Sequence, residues 1–245
     1  MRAMILAAGL GTRLRPLTHN RPKALVEVAG RTLLEITLTR LRNFGITDVI
    51  INTHHFADMM ADYLRKNTNF GMNIEISREE TLLDTGGGLK KAAFFFETGL
   101  RAEPFVLHNV DVISNLDIGR MLQSHNDRSA LATLAVQNRR TSRYLLFDDG
   151  GCLSGRKSAE DVPKPTLPPG LHPLAFCGIH IISPHLLPKM TEQGTFSIID
   201  TYLRLAAAGD KILSFRADGY DWRDLGRLEN IEHANKEFEQ KRSAF

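Results

Sequence analysis

The residues best suited to chemistry lie near the start of the chain. Gly9-Leu10-Gly11-Thr12-Arg13-Leu14-Arg15-Pro16 is followed closely by Arg21-Pro22-Lys23. Glycines let backbone N–H groups approach a phosphate, and a concavity of N–H groups binds anions without any side chain. Arg13, Arg15 and Lys23 add the fixed positive charge that a triphosphate or a departing pyrophosphate needs. The segment therefore reads as a site for a phosphorylated ligand. The apolar run Met4-Ile5-Leu6-Ala7-Ala8 directly before it reads as the buried strand that positions the loop.

Two other phosphate loops do not fit. The dinucleotide fingerprint requires a third glycine where this chain has Leu14, and no clear acidic residue ends a second strand at the required spacing. The Walker loop requires Gly-Lys-Ser/Thr, a tripeptide the sequence lacks.

The pattern Gly9 to Pro16 with Pro22-Lys23 resembles the signature of the sugar-1-phosphate nucleotidyltransferases. The resemblance continues through Asp84-Thr85-Gly86-Gly87-Gly88, Asn109-Val110-Asp111 and Trp222-Arg223-Asp224-Leu225-Gly226, and so covers nearly the whole chain. It is nearest to the uridylyltransferases of N-acetylmuramate 1-phosphate and the short guanylyltransferases of mannose 1-phosphate. It implies a nucleoside triphosphate and a sugar 1-phosphate as partners, a nucleotide sugar and pyrophosphate as products, and Mg²⁺ as cofactor. UTP with N-acetylmuramate 1-phosphate or a related hexose 1-phosphate is the favoured pair, with a role in cell-wall supply; GTP with mannose 1-phosphate is the alternative. A non-catalytic nucleotide-sugar sensor of the same fold is the rival from another class, although it would not need both metal carboxylates.

Such a transfer demands charge neutralisation and alignment, because the attacking phosphate oxygen is already an anion. Lys23 is expected on the α-phosphate and Arg13 on the leaving pyrophosphate, where a fork of donors suits phosphate geometry. Leu6, Gly9, Gly11 and Thr12 are expected to line the nucleotide together with these two, and Thr85 and Gly86 to pack against the base. Asp111 and Asp224 are the expected Mg²⁺ ligands, carboxylates being the donors that ion prefers; spacing alone leaves Asp221 as an alternative to Asp224. Either aspartate has a plainer reading as a helix N-cap. Asn109 and Gly178 are the candidates for sugar-phosphate contact. Asn109-Val110-Asp111 lacks the glycine more usual before the metal aspartate, and Glu160-Asp161-Val162-Pro163-Lys164 does not clearly match the Glu-Lys pair that many relatives place beside the sugar.

The elements that must position these residues alternate between strand and helix in the first half, the pattern of a parallel sheet covered on both faces. Leu33, Leu34, Leu38 and Leu41 line one helical face that Gly45 ends. Strands are expected over Asp48–Asn52, Asn73–Ser77 and Phe105–Asn109, and a helix from about Ala57 to Lys66. Leu82 to Gly88 reads as a loop, followed by a short helix holding Phe94 and Phe95. In the second half, Ala130 to Gln137 and Phe176 to Ile182 read as strands, Tyr144 to Leu153 as a hairpin turning on Asp148-Asp149-Gly150-Gly151, and Ser197 to Ala208 as a helix closed by Gly209. The expected fold is thus α/β and Rossmann-like: a mostly parallel mixed sheet flanked by helices in a single domain, 1–245. Residues 1–125 would form the nucleotide-binding half and 126–245 the sugar-phosphate-binding half.

Composition excludes other classes. A net charge of +3 over 245 residues is too small to argue for nucleic acid, and no apolar run is long enough to span a membrane. The two cysteines, Cys152 and Cys177, have no metal-ligand spacing and suit reduced thiols in a cytoplasmic protein. His54-His55 looks metal-like, yet adjacent histidines point apart, and a satisfied polar pair at a helix start is the better reading. A monomer or small homo-oligomer without an appended domain is expected.

Overall fold

The opening apolar run forms β1 (Ala3–Leu6), with Ala3, Met4 and Ile5 fully buried. It is seen in a computed structural model that describes residues 1–97, 103–158 and 168–242, with side chains described as far as 237. There follow β2 (Glu27–Val28), β3 (Arg31–Thr32), α1 (Leu33–Asn43), β4 (Asp48–Thr53), α2 (Ala57–Lys66) and β5 (Asn73–Arg78). Next come α3 (Asp84–Lys91), β6 (Phe105–Asn109), β7 (Val112–Ser114) and α4 (Ile118–Asp127). The chain continues with β8 (Ala132–Gln137), β9 (Arg143–Phe147), β10 (Leu153–Ser158) and β11 (His172–Ile182). It closes with α5 (Ile198–Ala207), β12 (Ile212–Arg216), β13 (Trp222–Asp224) and α6 (Leu228–Arg242).

These elements group into two units that are interleaved along the chain. Met1–Leu82, His108–Asn115 and the segment from Trp222 onward make the first; Leu83–Leu107 and Leu116–Asp221 make the second.

In the first unit β1, β4 and β5 run parallel, in register at Ile5↔Ile51 and Ile51↔Ile76. Parallel neighbours need a crossover, and α1 and α2 supply the two. Helix α1 starts where expected because Thr32 accepts a hydrogen bond from Glu35 N at 3.0 Å, three residues on. Its buried face is Leu33, Leu34, Leu38 and Leu41, and Gly45 leaves the helix at φ 73°. A separate antiparallel pair, β7 with β13, places Asp224 opposite Val112.

In the second unit β8, β11, β9 and β10 are joined by antiparallel pairing, and β12 runs parallel to β8. The hairpin between β9 and β10 turns as expected: Asp148 N donates to Cys152 O at 3.0 Å and Cys152 N to Asp148 Oδ1 at 2.8 Å. Helix α5 is capped by Ser197, and its fully buried Tyr202 meets His180 Nδ1 at 2.9 Å.

One element differs from expectation. Asp84 to Lys91 is a helix, so Thr85-Gly86-Gly87-Gly88 is its first turns and not a loop; Phe94 and Phe95 fall in a 3₁₀ turn after it. The cause is packing against the start of α5. A Cβ on Gly86 would lie 2.5 Å from Phe196 Cδ2, and one on Gly87 2.5 Å from Gly194 O. The glycines are there so that two chain segments can touch. The Glu160–Lys164 stretch lies outside the described residues.

Candidate active site

The first strand delivers its carboxyl end to the glycine-rich loop, and three strands converge there. Ala7 N donates to Asn52 Oδ1 of β4 at 2.7 Å. The Asn52 amide in turn donates to Glu79 Oε1, just beyond β5, at 2.7 Å. Both side chains are buried, so the loop leaves the sheet from a braced point. Val110 N donates to Leu6 O at 3.2 Å, bringing the Asn109-Val110-Asp111 segment alongside the end of β1. Ligands of open α/β sheets bind at such carboxyl ends.

Within the loop, Gly11 has φ 63°, and a Cβ there would meet Thr18 Cγ2 at 3.0 Å and Lys23 Cβ at 3.2 Å. Gly9 has open space around it. Thr12–Leu14 forms a 3₁₀ turn in which Leu14 is fully buried while Arg13 and Arg15 face solvent. Leu14, the residue that breaks the dinucleotide fingerprint, is therefore the anchor of this loop. Pro22 leads into a second 3₁₀ turn, Lys23–Leu25, pinned by buried Ala24 and Leu25.

Lys23 Nζ pairs with Asp111 Oδ2, each side chain 14% exposed. Asp111 O accepts from Leu225 N at 2.7 Å, Asp224 Oδ1 accepts from Gly226 N at 2.7 Å, and Asp224 O accepts from the Asn230 amide at 2.7 Å. A Cβ built on Gly226 would lie 2.7 Å from Asp111 Oδ2, 2.8 Å from Asp224 Oδ1 and 3.3 Å from Arg13 Nη2. Two carboxylates and a guanidinium thus converge on one point, with the Lys23 ammonium on the same Asp111 oxygen. The register of β7 with β13 brings Asp224 to this place, whereas Asp221 precedes the strand. Asp111 is not a helix cap; Asp117 caps α4 by accepting from Arg120 N at 2.9 Å.

Other expected residues are placed as follows. Asn109 ends β6, two residues before Asp111. Gly178 sits in the second unit with φ 72°, at an irregularity of β11 where the register with β8 shifts between Phe176 and His180. Thr85 Oγ1 accepts from Ile198 N at 3.0 Å, and Gly86 N donates to Phe196 O at 2.9 Å, so their polar groups serve the α3–α5 contact. His54 Nδ1 meets Glu79 O at 2.9 Å, the satisfied polar contact expected of it. Cys152 and Cys177 are free thiols, the latter pushed up to about 11 by burial. His108, the residue before Asn109 and fully buried on β6 with Nδ1 2.8 Å from Asn109 O, is pushed down to about 4 by desolvation. Asn52, Asn230 and Gly226 were not legible as site residues: two are amides acting through backbone groups, and the third acts by having no side chain.

A fold and a loop of this kind define a transferase of nucleotidyl groups, and comparison with known proteins agrees. The family model described as nucleotidyl transferase matches residues 2–241, and the chain belongs to that family. The N-acetylmuramate alpha-1-phosphate uridylyltransferase of Caulobacter vibrioides is 36% identical over 215 residues, covering 84% of this chain and 85% of its own. Mannose-1-phosphate guanylyltransferase 1 of Arabidopsis thaliana is 30% identical over 231 residues, covering 93% of this chain and 62% of its own. Among solved structures, a UDP-glucose pyrophosphorylase complexed with UDP-glucose superposes with a TM-score of 0.79 at 16% identity, over 98% of each chain. That likeness shows the fold: α/β, with a mixed sheet flanked by helices. The protein is a nucleotidyltransferase related to the sugar-1-phosphate enzymes, as the motifs implied.

Proposed function

We propose that the protein transfers uridylyl from UTP to N-acetylmuramate 1-phosphate or a related hexose 1-phosphate, releasing pyrophosphate. The observation that carries the reaction class is the meeting of Arg13, Lys23, Asp111 and Asp224 beside the carboxyl end of β1. The uridylyl reading is supported by the Caulobacter relative, which matches at higher identity and over more of its own length than the plant guanylyltransferase.

The donor set suits a hard divalent ion. Asp111 and Asp224 offer two carboxylate oxygens that converge. Two protein carboxylates, with phosphate oxygens and water completing the shell, is how Mg²⁺ is usually held. When bound, Mg²⁺ would supply charge neutralisation at the α-phosphate.

The chain's own residues do the rest. Lys23 follows the α-phosphate and Arg13 the departing pyrophosphate. Gly9, Gly11 and Thr12 present backbone donors to the phosphates, with Leu6 at the base of the loop. No general base is required, because the attacking oxygen is ionised at neutral pH. Asn109 and Gly178 are each kept as candidates for contact with the sugar phosphate. Thr85 and Gly86 are assigned the packing role that their hydrogen bonds describe. A cytoplasmic setting and a part in cell-wall supply go with this substrate pair.

The test is a panel of the four ribonucleoside triphosphates against N-acetylmuramate, glucose and mannose 1-phosphates, read by pyrophosphate release. UTP with N-acetylmuramate 1-phosphate is expected to give the highest kcat/KM. Preference for GTP and mannose 1-phosphate would replace the substrates; binding without turnover across the panel would make the protein a sensor.

A further inference from the structure

Gly226 occupies a place that its backbone does not explain. Its φ lies outside the left-handed region, so an ordinary side chain would meet no conformational obstacle there. The obstacle is local: the three nearest atoms to an added Cβ are Asp111 Oδ2, Asp224 Oδ1 and Arg13 Nη2. All three are the far ends of flexible side chains, and all three belong to the site. The peptide that carries Gly226 also ties the two aspartates together, Leu225 N donating to Asp111 O and Gly226 N to Asp224 Oδ1. Leu225 is buried and fixes that peptide from behind.

We propose that Gly226 is a positioning residue for nucleotidyl transfer. Its bare Cα leaves the space in which the Asp111 and Asp224 carboxylates approach each other under Arg13, while its N–H aims the Asp224 carboxylate. A methyl group at this position is accommodated by the fold, because only side-chain ends must move, but it separates the carboxylates and displaces Arg13. The inference rests on the reading of Asp111 and Asp224 as a metal pair.

The test compares wild type, Gly226→Ala, Asp224→Asn and Gly219→Ala. Gly219 has open space around it and serves as a control for glycine loss. Mn²⁺ binding is followed by the free-ion electron paramagnetic resonance signal without substrates, and folding by circular dichroism melting. Gly226→Ala is expected to melt like wild type yet bind Mn²⁺ roughly 10- to 100-fold more weakly. It is also expected to need more Mg²⁺ for half-maximal turnover, with an unchanged KM for the sugar 1-phosphate. Gly219→Ala matches wild type in every readout. If Gly226→Ala binds Mn²⁺ like wild type while Asp224→Asn does not, the inference fails and the metal pair stands. If wild type and Asp224→Asn bind Mn²⁺ equally, the metal pair fails and takes the inference with it. A Gly226→Ala protein that melts early or does not fold also overturns the inference, because the crowding would then lie in the fold.

Discussion

Lys23 and Asp224 lie on either side of one aspartate: the Lys23 ammonium pairs with Asp111 Oδ2, and that oxygen and Asp224 Oδ1 lie 2.7 Å and 2.8 Å from the place a Gly226 Cβ would take. One aspartate oxygen therefore has a lysine ammonium paired to it and a second carboxylate oxygen nearby. Under the proposed function, a substrate phosphate that drew Lys23 away would leave the carboxylate pair in need of another cation, which would couple anion and metal binding.

Lys23→Met keeps much of the stem and removes the charge. Turnover is expected to fall by roughly 100-fold or more, the scale of losing one electrostatic donor in a transition state. The variant should remain folded by circular dichroism. Single-turnover measurements showing near-normal rates would remove Lys23 from the reaction.

Asp111→Asn and Asp224→Asn keep shape and hydrogen-bonding oxygens but remove charge. Each is expected to lose most Mg²⁺-dependent activity with near-normal melting. If the two carboxylates serve one ion, as proposed, the double variant should be far less impaired than the product of the single effects. Multiplicative losses would show two independent roles.

Gly86→Ala acts on packing. The added methyl group would press on the Phe196 ring and on Ile198 N, 3.0 Å away, and overpacking of this kind costs about 1–3 kcal/mol. Thermal melting should register the loss while the KM for UTP stays unchanged. Phe196→Leu in the same chain should recover part of it. A selective rise in nucleotide KM without destabilisation would return Gly86 to base recognition.

Acid sensitivity follows from two histidines. Burial pushes His108 and His125 down to about 4, against 6.5 for an unfolded imidazole. Between these values the unfolded chain takes up protons that the folded one refuses, so stability falls as pH drops from about 6.5 to about 4 and the histidine contribution levels off below. Each fully excluded proton is worth roughly 1.4 kcal/mol per pH unit. Urea midpoints measured across this range should fall less steeply for His125→Gln than for wild type. Parallel profiles would show that His125 accepts its proton without opening the fold.

Much of the first unit was legible because its signals are local. The leucines of α1 repeat at helical spacing, Thr32 and Glu35 carry their cap within one turn, and β1 is a plain apolar run. The loop charges Arg13 and Lys23 pointed to a phosphorylated ligand from the sequence, a role that stays with the proposed function. What could not be read depends on residues far apart in the chain. The glycine run at Gly86 looked like a turn because a glycine needed for close packing is locally identical to one needed for bending, and Phe196 lies in another part of the sequence. Spacing alone could not separate Asp221 from Asp224; the register of β13 with β7 pairs Asp224 with Val112, next to Asp111 in the chain. Asn52 sits inside a strand whose neighbours say nothing of the amide's bond to Ala7.

The interleaving of the two units bears on how the protein comes into being. A ribosome adds Arg13 and Lys23 early, Asp111 midway, and Asp224 only after all of the second unit has been made. A chain extended only as far as β5 carries the glycine-rich loop without either of the two aspartates. The proposed site is thus complete in the chain only once β13 has been synthesised, and its last part is made after the whole of the second unit.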